Sequence, residues 1–200
     1  MNCNLVIFVG LAALLSACQT PDKKRYAMQL AEQAMKTHSH NDINVDTTSR
    51  ALHLLDSAIR LYPSSTFYLC KYQIYKTTND QHAALGVCDT VLMLDKFNYA
   101  ATLDKGYTYE ALGKLDSAFD YYRAALKLTD NPHSFNAAEI AKDHEKIVIL
   151  ALLKDTAGFN KLVREFRVKY RDSKDEFFQA YSDEFDHFKR ENYLQLTNNP

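Results

Sequence analysis

The chain has 200 residues, of which 46% are hydrophobic and 24% are charged, as expected for a globular protein and not for a disordered one. Its formal net charge of -1 argues against a nucleic-acid binder, because such proteins usually carry a clustered excess of Lys and Arg. The only dense basic run, "DKKR" at 22–25, is interpreted as a solvated segment.

The first element along the chain is an uninterrupted apolar stretch over 5–15. Crossing a bilayer takes about 20 helical residues, so this stretch is too short to span a membrane and instead has the length of the apolar region of a signal peptide. The sequence Leu15-Ser16-Ala17-Cys18 resembles the lipobox of bacterial lipoprotein signal peptides. The resemblance implies removal of residues 1–17, lipidation of Cys18 and a tether over 18–24. The alternative is a buried apolar helix.

The residues after Cys18 bear on location. In one group of Gram-negative lipoproteins, surface export is associated with an acidic run just after the lipidated Cys, and "QTPDKKRY" contains no such run. This resemblance predicts a bacterial cell-envelope protein, anchored in the outer membrane and facing the periplasm.

With Cys3 removed and Cys18 lipidated, Cys70 and Cys88 remain as thiols. The periplasm permits a bridge between them, but the helical register points Cys70 away from its own second helix, and Cys88 is expected to be a small buried hydrophobe.

The rest of the chain predicts an all-α fold. Apolar residues recur at i, i+3, i+4 and i+7, and no alternation typical of strands is sustained. The predicted helices span 22–36, 47–61, 66–77, 81–94, 99–112, 115–128, 135–154, 156–171 and 175–194. Pro63 and Pro132 follow the second and sixth helices, where a proline ends a helix at little cost.

A shift of 34 residues places part of the chain on itself, so that Tyr109 falls on Tyr75 and Ala118 on Ala84. Such a period is typical of helical repeat proteins. The pattern resembles the tetratricopeptide repeat (TPR), in which the two helices of a pair, A and B, carry small and aromatic residues at set positions.

In the third copy the TPR roles fall to Gly106, Tyr109, Ala118, Tyr122 and Ala125. By this resemblance Gly106 and Ala118 let helices A and B approach each other, and the rings of Tyr109 and Tyr122 fill the space beside the contact. The resemblance implies a short right-handed α-solenoid of three to four TPR-like helix pairs over 25–171, followed by a capping helix and tail over 172–200.

The outer copies are less regular. The first keeps its B helix, but a polar loop over 37–46 is inserted before it, and the fourth, over 135–171, is degenerate, with Gly158 as the candidate small residue of helix B. In the last helix, aromatic residues recur at helical spacing and are expected to cover the preceding pair; a partner-binding aromatic stripe is the alternative. They are Phe177, Phe178, Tyr181, Phe185 and Phe188.

Catalysis has little support in the sequence. The glycines that follow the signal peptide form neither a phosphate-binding loop nor a GxSxG elbow. We therefore expect no enzymatic activity, no cofactor and no small-molecule substrate. The nearest metal constellation is His38, His40 and Asp42 in the inserted loop, which leaves a metal-binding protein or an enzyme as a less favoured alternative.

TPR proteins bind partners in a concave groove lined by their A helices, and the matching positions in the second copy are Leu69, Gln73 and Lys76. Those in the third copy are Leu103, Tyr107 and Glu110. Apolar residues among them suggest a groove for a peptide, with packing between repeats as the alternative.

The expected function is that of a non-catalytic, membrane-anchored scaffold or adaptor that binds a protein partner and no nucleic acid. The alternatives are a periplasmic immunity protein that neutralises a toxin delivered by a rival cell, and a purely structural envelope protein.

Overall fold

The computed structural model describes residues 20–39, 44–135, 137–172 and 177–187. Within these ranges nine helices and no strand are present, which confirms the predicted all-α class. Most helices pack on a neighbour in the chain, and this consecutive arrangement is compatible with a helical solenoid. The helices are α1 Thr20–Ser39, α2 Val45–Leu61, α3 Ser65–Thr77, α4 Gln81–Leu94, α5 Tyr99–Ala111, α6 Leu115–Leu128, α7 Glu139–Leu152, α8 Thr156–Lys169 and α9 Phe177–His187.

Within the described residues, most helix boundaries lie within two residues of those predicted, and two differ by three or more. Helix α1 continues to Ser39, so the first residues of the predicted inserted loop are helical. Helix α7 begins at Glu139 and not at 135, because the preceding residues form a turn on Asn131, whose carbonyl accepts from the amides of Ser134 and Phe135. The turn follows from the local sequence, since Pro132 fixes its own backbone angle and Asn131 caps the turn with its side chain.

The chain divides into two compact units, residues 1–74 and 75–200. The core of the first unit is formed largely by alanines of α1 and α2, together with Leu55, Phe67 and Ile74. Alanines on facing helices allow close backbone approach. Helix α2 starts at a capping box in which Asn44 and Thr47 exchange side-chain and backbone hydrogen bonds.

The described residues of the second unit form two hydrophobic clusters. One joins α5, α6 and α7; its buried members are Tyr99, Leu103, Tyr107, Ala118, Tyr122, Ala125, Val148, Ile149 and Leu152. The other lies under α9, where Phe185 is buried against Phe166 and where Phe178 and Tyr181 are half-buried. Helix α9 therefore caps the α7–α8 pair. Phe177 and Phe188, also expected in the cap, have side chains outside the described part.

Three turns of the second unit repeat one backbone geometry. Asn79, Gly113 and Lys154 each have a positive φ, of 58°, 72° and 61°. In each turn the next amide donates to the carbonyl five residues earlier, as in the Asp80 to Tyr75 bond of 2.8 Å. This is the left-handed C-terminal turn that satisfies the last carbonyls of a helix. The turns before α4, α6 and α8 are thus alike, although only one contains glycine.

A lysine–aspartate pair recurs between neighbouring elements. In the first unit Lys71 of α3 donates to Asp56 of α2 at 2.7 Å. In the second unit Lys105 of α5 donates to Asp89 of α4 at 2.6 Å, and Lys146 of α7 pairs with Asp130. Lys71 and Lys105 are 34 residues apart, which is the repeat period. Each lysine reaches back to the preceding helix or turn, so this pair repeats with the helix pairs.

Candidate protein-binding surface

The candidate groove residues of the first unit lie at its surface. Leu69 is half-buried and Gln73 is exposed on α3. Cys70, beside Leu69, is a free thiol that packs partly against the core of this unit, and burial raises its pKa.

The candidate groove residues of the second unit are mostly covered. Leu103 and Tyr107 are each only 7% exposed and belong to the core cluster with α6 and α7. This corrects the expectation that Leu103 and Tyr107 line an open groove. Their side chains instead pack against neighbouring helices, which agrees with the alternative that such residues serve packing between repeats. A residue's position in a repeat does not reveal how closely the next helix approaches.

The two polar groove candidates of this unit are partly buried as well. Glu110 accepts a hydrogen bond from the Tyr122 hydroxyl at 2.7 Å and so serves the core. Burial lowers the pKa of Lys76, and the charge of Asp104 opposes this shift only in part. The predicted concave groove of the second unit therefore offers little accessible apolar surface.

The crossing of α5 and α6 is close. A Cβ built on Gly106 would lie 2.4 Å from Cε1 of Tyr122 and 3.4 Å from the carbonyl oxygen of Ala118. Ala118, Tyr122 and Ala125 are fully buried, whereas Tyr109 is half-buried and stacks on Tyr121 with ring centroids 5.4 Å apart. Tyr122, and not Tyr109, thus occupies the space that Gly106 leaves.

Gly158 has a different role from the one predicted. A Cβ there would lie 2.5 Å from Oδ2 of Asp155, the N-terminal cap of α8, whose carboxylate accepts from the Gly158 amide. The atoms nearest to such a Cβ all belong to the Asp155 cap, whereas those nearest to a Cβ on Gly106 belong to the facing helix.

The proposed metal constellation falls only partly within the described residues. His38 lies in the last turn of α1 and is buried, so it is not in a solvated loop as expected, and burial lowers the pKa of its imidazole. His40 and Asp42 lie outside the described residues. Across the described ranges, no group of three or more His, Cys, Asp or Glu side chains could hold a metal ion.

An open apolar depression of the second unit lies elsewhere; it has a volume of about 380 Å³, and we call it the Phe97 groove. It runs from the end of α4, across the α4–α5 turn, to the last turns of α6. Its apolar lining consists of Leu92, Phe97, Tyr121, Ala124 and Leu128. Phe97 is 47% exposed, although phenylalanine is among the residues most often buried in proteins.

The local sequence dictates why Phe97 is held outward. Asp95 ends α4, and its carboxylate accepts from the Phe97 amide at 3.1 Å. Asn98 begins α5 by accepting from the Ala101 amide at 3.0 Å. Because both ends of this four-residue turn are capped, hydrogen bonds hold the backbone on either side of Phe97, and its ring is left exposed.

Two lysines stand at the Phe97 groove. Lys96 and Lys127 belong to its lining, both are exposed, and the Lys96 ammonium lies 4.7 Å from the centre of the Phe97 ring. None of the described residues that line the groove carries a carboxylate. Met93 and Leu94, in the last turn of α4, are 87% and 58% exposed and add apolar surface at the same helix end.

Sequence reasoning missed the Phe97 groove. A signal was present in "VLMLDKF" at 91–97, where apolar residues cover more of the helix than one buried face needs. The repeat pattern points to the A helices, whereas this groove is lined mainly by B helices and the turn between repeats, with Thr102 of α5 as its one A-helix residue among those described.

No helix in the described part of the chain is long and apolar enough to cross a membrane. The predicted signal peptide and Cys18 lie outside the described residues. No protein-family model matches the chain, and a search of curated proteins gives no match either.

Proposed function

We propose that the chain is a non-catalytic protein-binding scaffold built from TPR-like helix pairs and held on the cell envelope by a lipid on Cys18. The observation that carries the binding role is the Phe97 groove, an open apolar depression lined by α4, the following turn, α5 and α6, in which Phe97 is 47% exposed. Contiguous exposed apolar surface of this kind marks interaction sites on soluble domains.

The membrane tether is supported by the lipobox-like sequence Leu15-Ser16-Ala17-Cys18. Tethering confines the groove to a surface and raises its effective concentration for a partner there. On this proposal the periplasmic side of the outer membrane is the place where the partner is met.

Site-specific photo-crosslinking tests the binding role. A benzophenone amino acid placed at position 97 should trap a partner protein in cells, since the Phe97 ring lies at the groove and is half exposed. The matched control carries the same group at Lys114, an exposed residue at the opposite end of α6. Equal products at both positions, or none at position 97, would contradict the proposal.

The tether has a separate test. Metabolic labelling with an alkyne fatty acid should mark the wild-type chain and the Cys3→Ala variant, because Cys3 is removed with the signal peptide. The Cys18→Ala variant should remain unlabelled and should leave the membrane fraction. Labelling that survives in Cys18→Ala would remove the lipid anchor from the proposal and leave the binding role untouched.

A further inference from the structure

The charged side chains that line the Phe97 groove are lysines, and the Asp95 carboxylate lies beside the lining, where it accepts from the Phe97 amide at 3.1 Å. Lys96 and Lys127 are exposed and belong to its lining, and no carboxylate does among the described residues. A third lysine, Lys105, lies 4.5 Å from the centre of the Tyr121 ring, behind the groove lining, but it is paired with Asp89 at 2.6 Å. The positive charge available to a ligand therefore comes from Lys96 and Lys127.

The size of the groove limits what can fill it. A volume of about 380 Å³ is at the lower end of the range of ligand sites, so it accommodates one or two large side chains and not a folded surface. Phe97, Tyr121 and Leu128 come from the turn and from α6, so an inserted side chain would contact more than one element of the fold.

We propose that the Phe97 groove binds a segment of a partner protein in which a large apolar side chain is flanked by Asp or Glu. This inference rests on the proposed function and names the chemistry of the partner. The apolar side chain would enter between Phe97 and Leu128, and the carboxylates would pair with Lys96 and Lys127. Charge complementarity of this kind selects the partner and speeds the encounter more than it adds affinity.

An anionic membrane surface is the competing occupant for an apolar patch with lysines. Recognition of anionic lipid by a patch of this kind usually involves four to eight clustered basic residues, whereas this groove has two. A concave lining also fits a protruding side chain better than a flat bilayer surface. The two occupants give different results in the experiment below.

Selection from a library of random 16-residue peptides displayed on phage, with the purified full-length chain as bait, tests the inference. Selected peptides should be enriched in Asp and Glu next to Leu, Phe or other large apolar residues. Their binding should weaken on the order of tenfold for the bait Lys96→Glu/Lys127→Glu, since two favourable pairs become repulsive, and should weaken as salt is added. The charge-matched control bait is Lys23→Glu/Lys114→Glu, two exposed residues outside the groove, and it should bind as the wild type does.

Three results would overturn the inference. The first is that the selected peptides show no acidic bias. The second is that they bind the Lys96→Glu/Lys127→Glu bait as well as the Lys23→Glu/Lys114→Glu control. The third is that no peptides are recovered while the chain binds phosphatidylglycerol vesicles through Lys96 and Lys127. Folding of the variants is checked by circular dichroism, since both lysines are exposed and their replacement should not unfold the chain. A photo-crosslink at position 97 combined with any of these results would leave the proposed function standing and reject only the acidic segment.

Discussion

A single methyl group at Gly106 tests the close crossing of α5 and α6. The Cβ of an alanine there would lie 2.4 Å from Cε1 and 2.5 Å from Cδ1 of Tyr122. Carbon atoms in contact normally lie about 3.5–4.0 Å apart, so the methyl and the ring must separate by more than about 1 Å. The ring has little freedom to do so, because it is fully buried, its hydroxyl donates to Glu110 at 2.7 Å and its edge packs on Tyr107.

The change in the free energy of unfolding on Gly106→Ala is the sum of a favourable change in helix propensity and an unfavourable change in packing. Alanine is favoured over glycine inside a helix by about 1 kcal/mol. Overpacking costs about 1–3 kcal/mol, and loss of the Tyr122–Glu110 hydrogen bond about 1 kcal/mol more. We therefore expect Gly106→Ala to lower the free energy of unfolding by about 1–3 kcal/mol.

Gly86 is the matched control, because it lies in α4, is exposed and has no atom within 4 Å of a built Cβ. In Gly86→Ala only the higher helix propensity of alanine acts, so this variant should raise the free energy of unfolding by up to about 1 kcal/mol.

Urea unfolding followed by circular dichroism measures both variants, with stability read from the midpoint when the slope is unchanged. The same Gly106→Ala step in a Tyr122→Leu background should cost less, since the ring atoms that the methyl meets are gone. If Gly106→Ala is as stable as Gly86→Ala, the crossing has room for a side chain and the reasoning from the close contact is wrong.

The remaining predictions concern other positions of the same helices and the buried histidine. Ala118→Leu should lower the melting temperature more than Ala111→Leu, because Ala118 is fully buried and Ala111 is exposed; overpacking costs about 1–3 kcal/mol, and equal melting curves would refute the packing role. Gly113→Ala should cost about 1 kcal/mol in urea unfolding and Gly113→Asn less, since φ is 72° and no atom crowds the site; equal costs would show that backbone strain is not the cause. Burial lowers the pKa of His38 below 6.5, so the unfolded chain binds a proton first as the pH falls, and stability should drop below about pH 6.5. His38→Gln should flatten that part of a pH-dependent unfolding curve, and an unchanged curve would contradict the burial of this imidazole.

The proposed scaffold differs in one respect from the expectation drawn from repeat alignment. The alignment placed the partner in a groove of A helices, whereas Leu103 and Tyr107 are covered by packing within the second unit. An accessible apolar depression lies instead at Phe97, lined by α4, the α4–α5 turn, α5 and α6. A partner bound there would contact the turn that joins successive helix pairs.

The sequence alone determined the all-α class, most helix positions and the closeness of the α5–α6 crossing. These features follow from short-range rules: the helical period of apolar residues, capping by residues such as Asn98, and the small size of Gly106 and Ala118. The recurrence of Tyr75 and Ala84 at Tyr109 and Ala118, 34 residues later, is likewise visible in the sequence. Lipidation of Cys18, which the lipobox-like sequence implies, remains a prediction.

Tertiary structure alone decided which apolar residues are covered. Tyr107 and Phe97 are both aromatic and lie only ten residues apart, yet α6 and α7 cover Tyr107, while a capped turn holds Phe97 outward. The same holds for His38, which the sequence predicts in a loop: α1 continues through it, and its side chain is buried. Burial depends on where distant helices pack, and no local spacing encodes those positions.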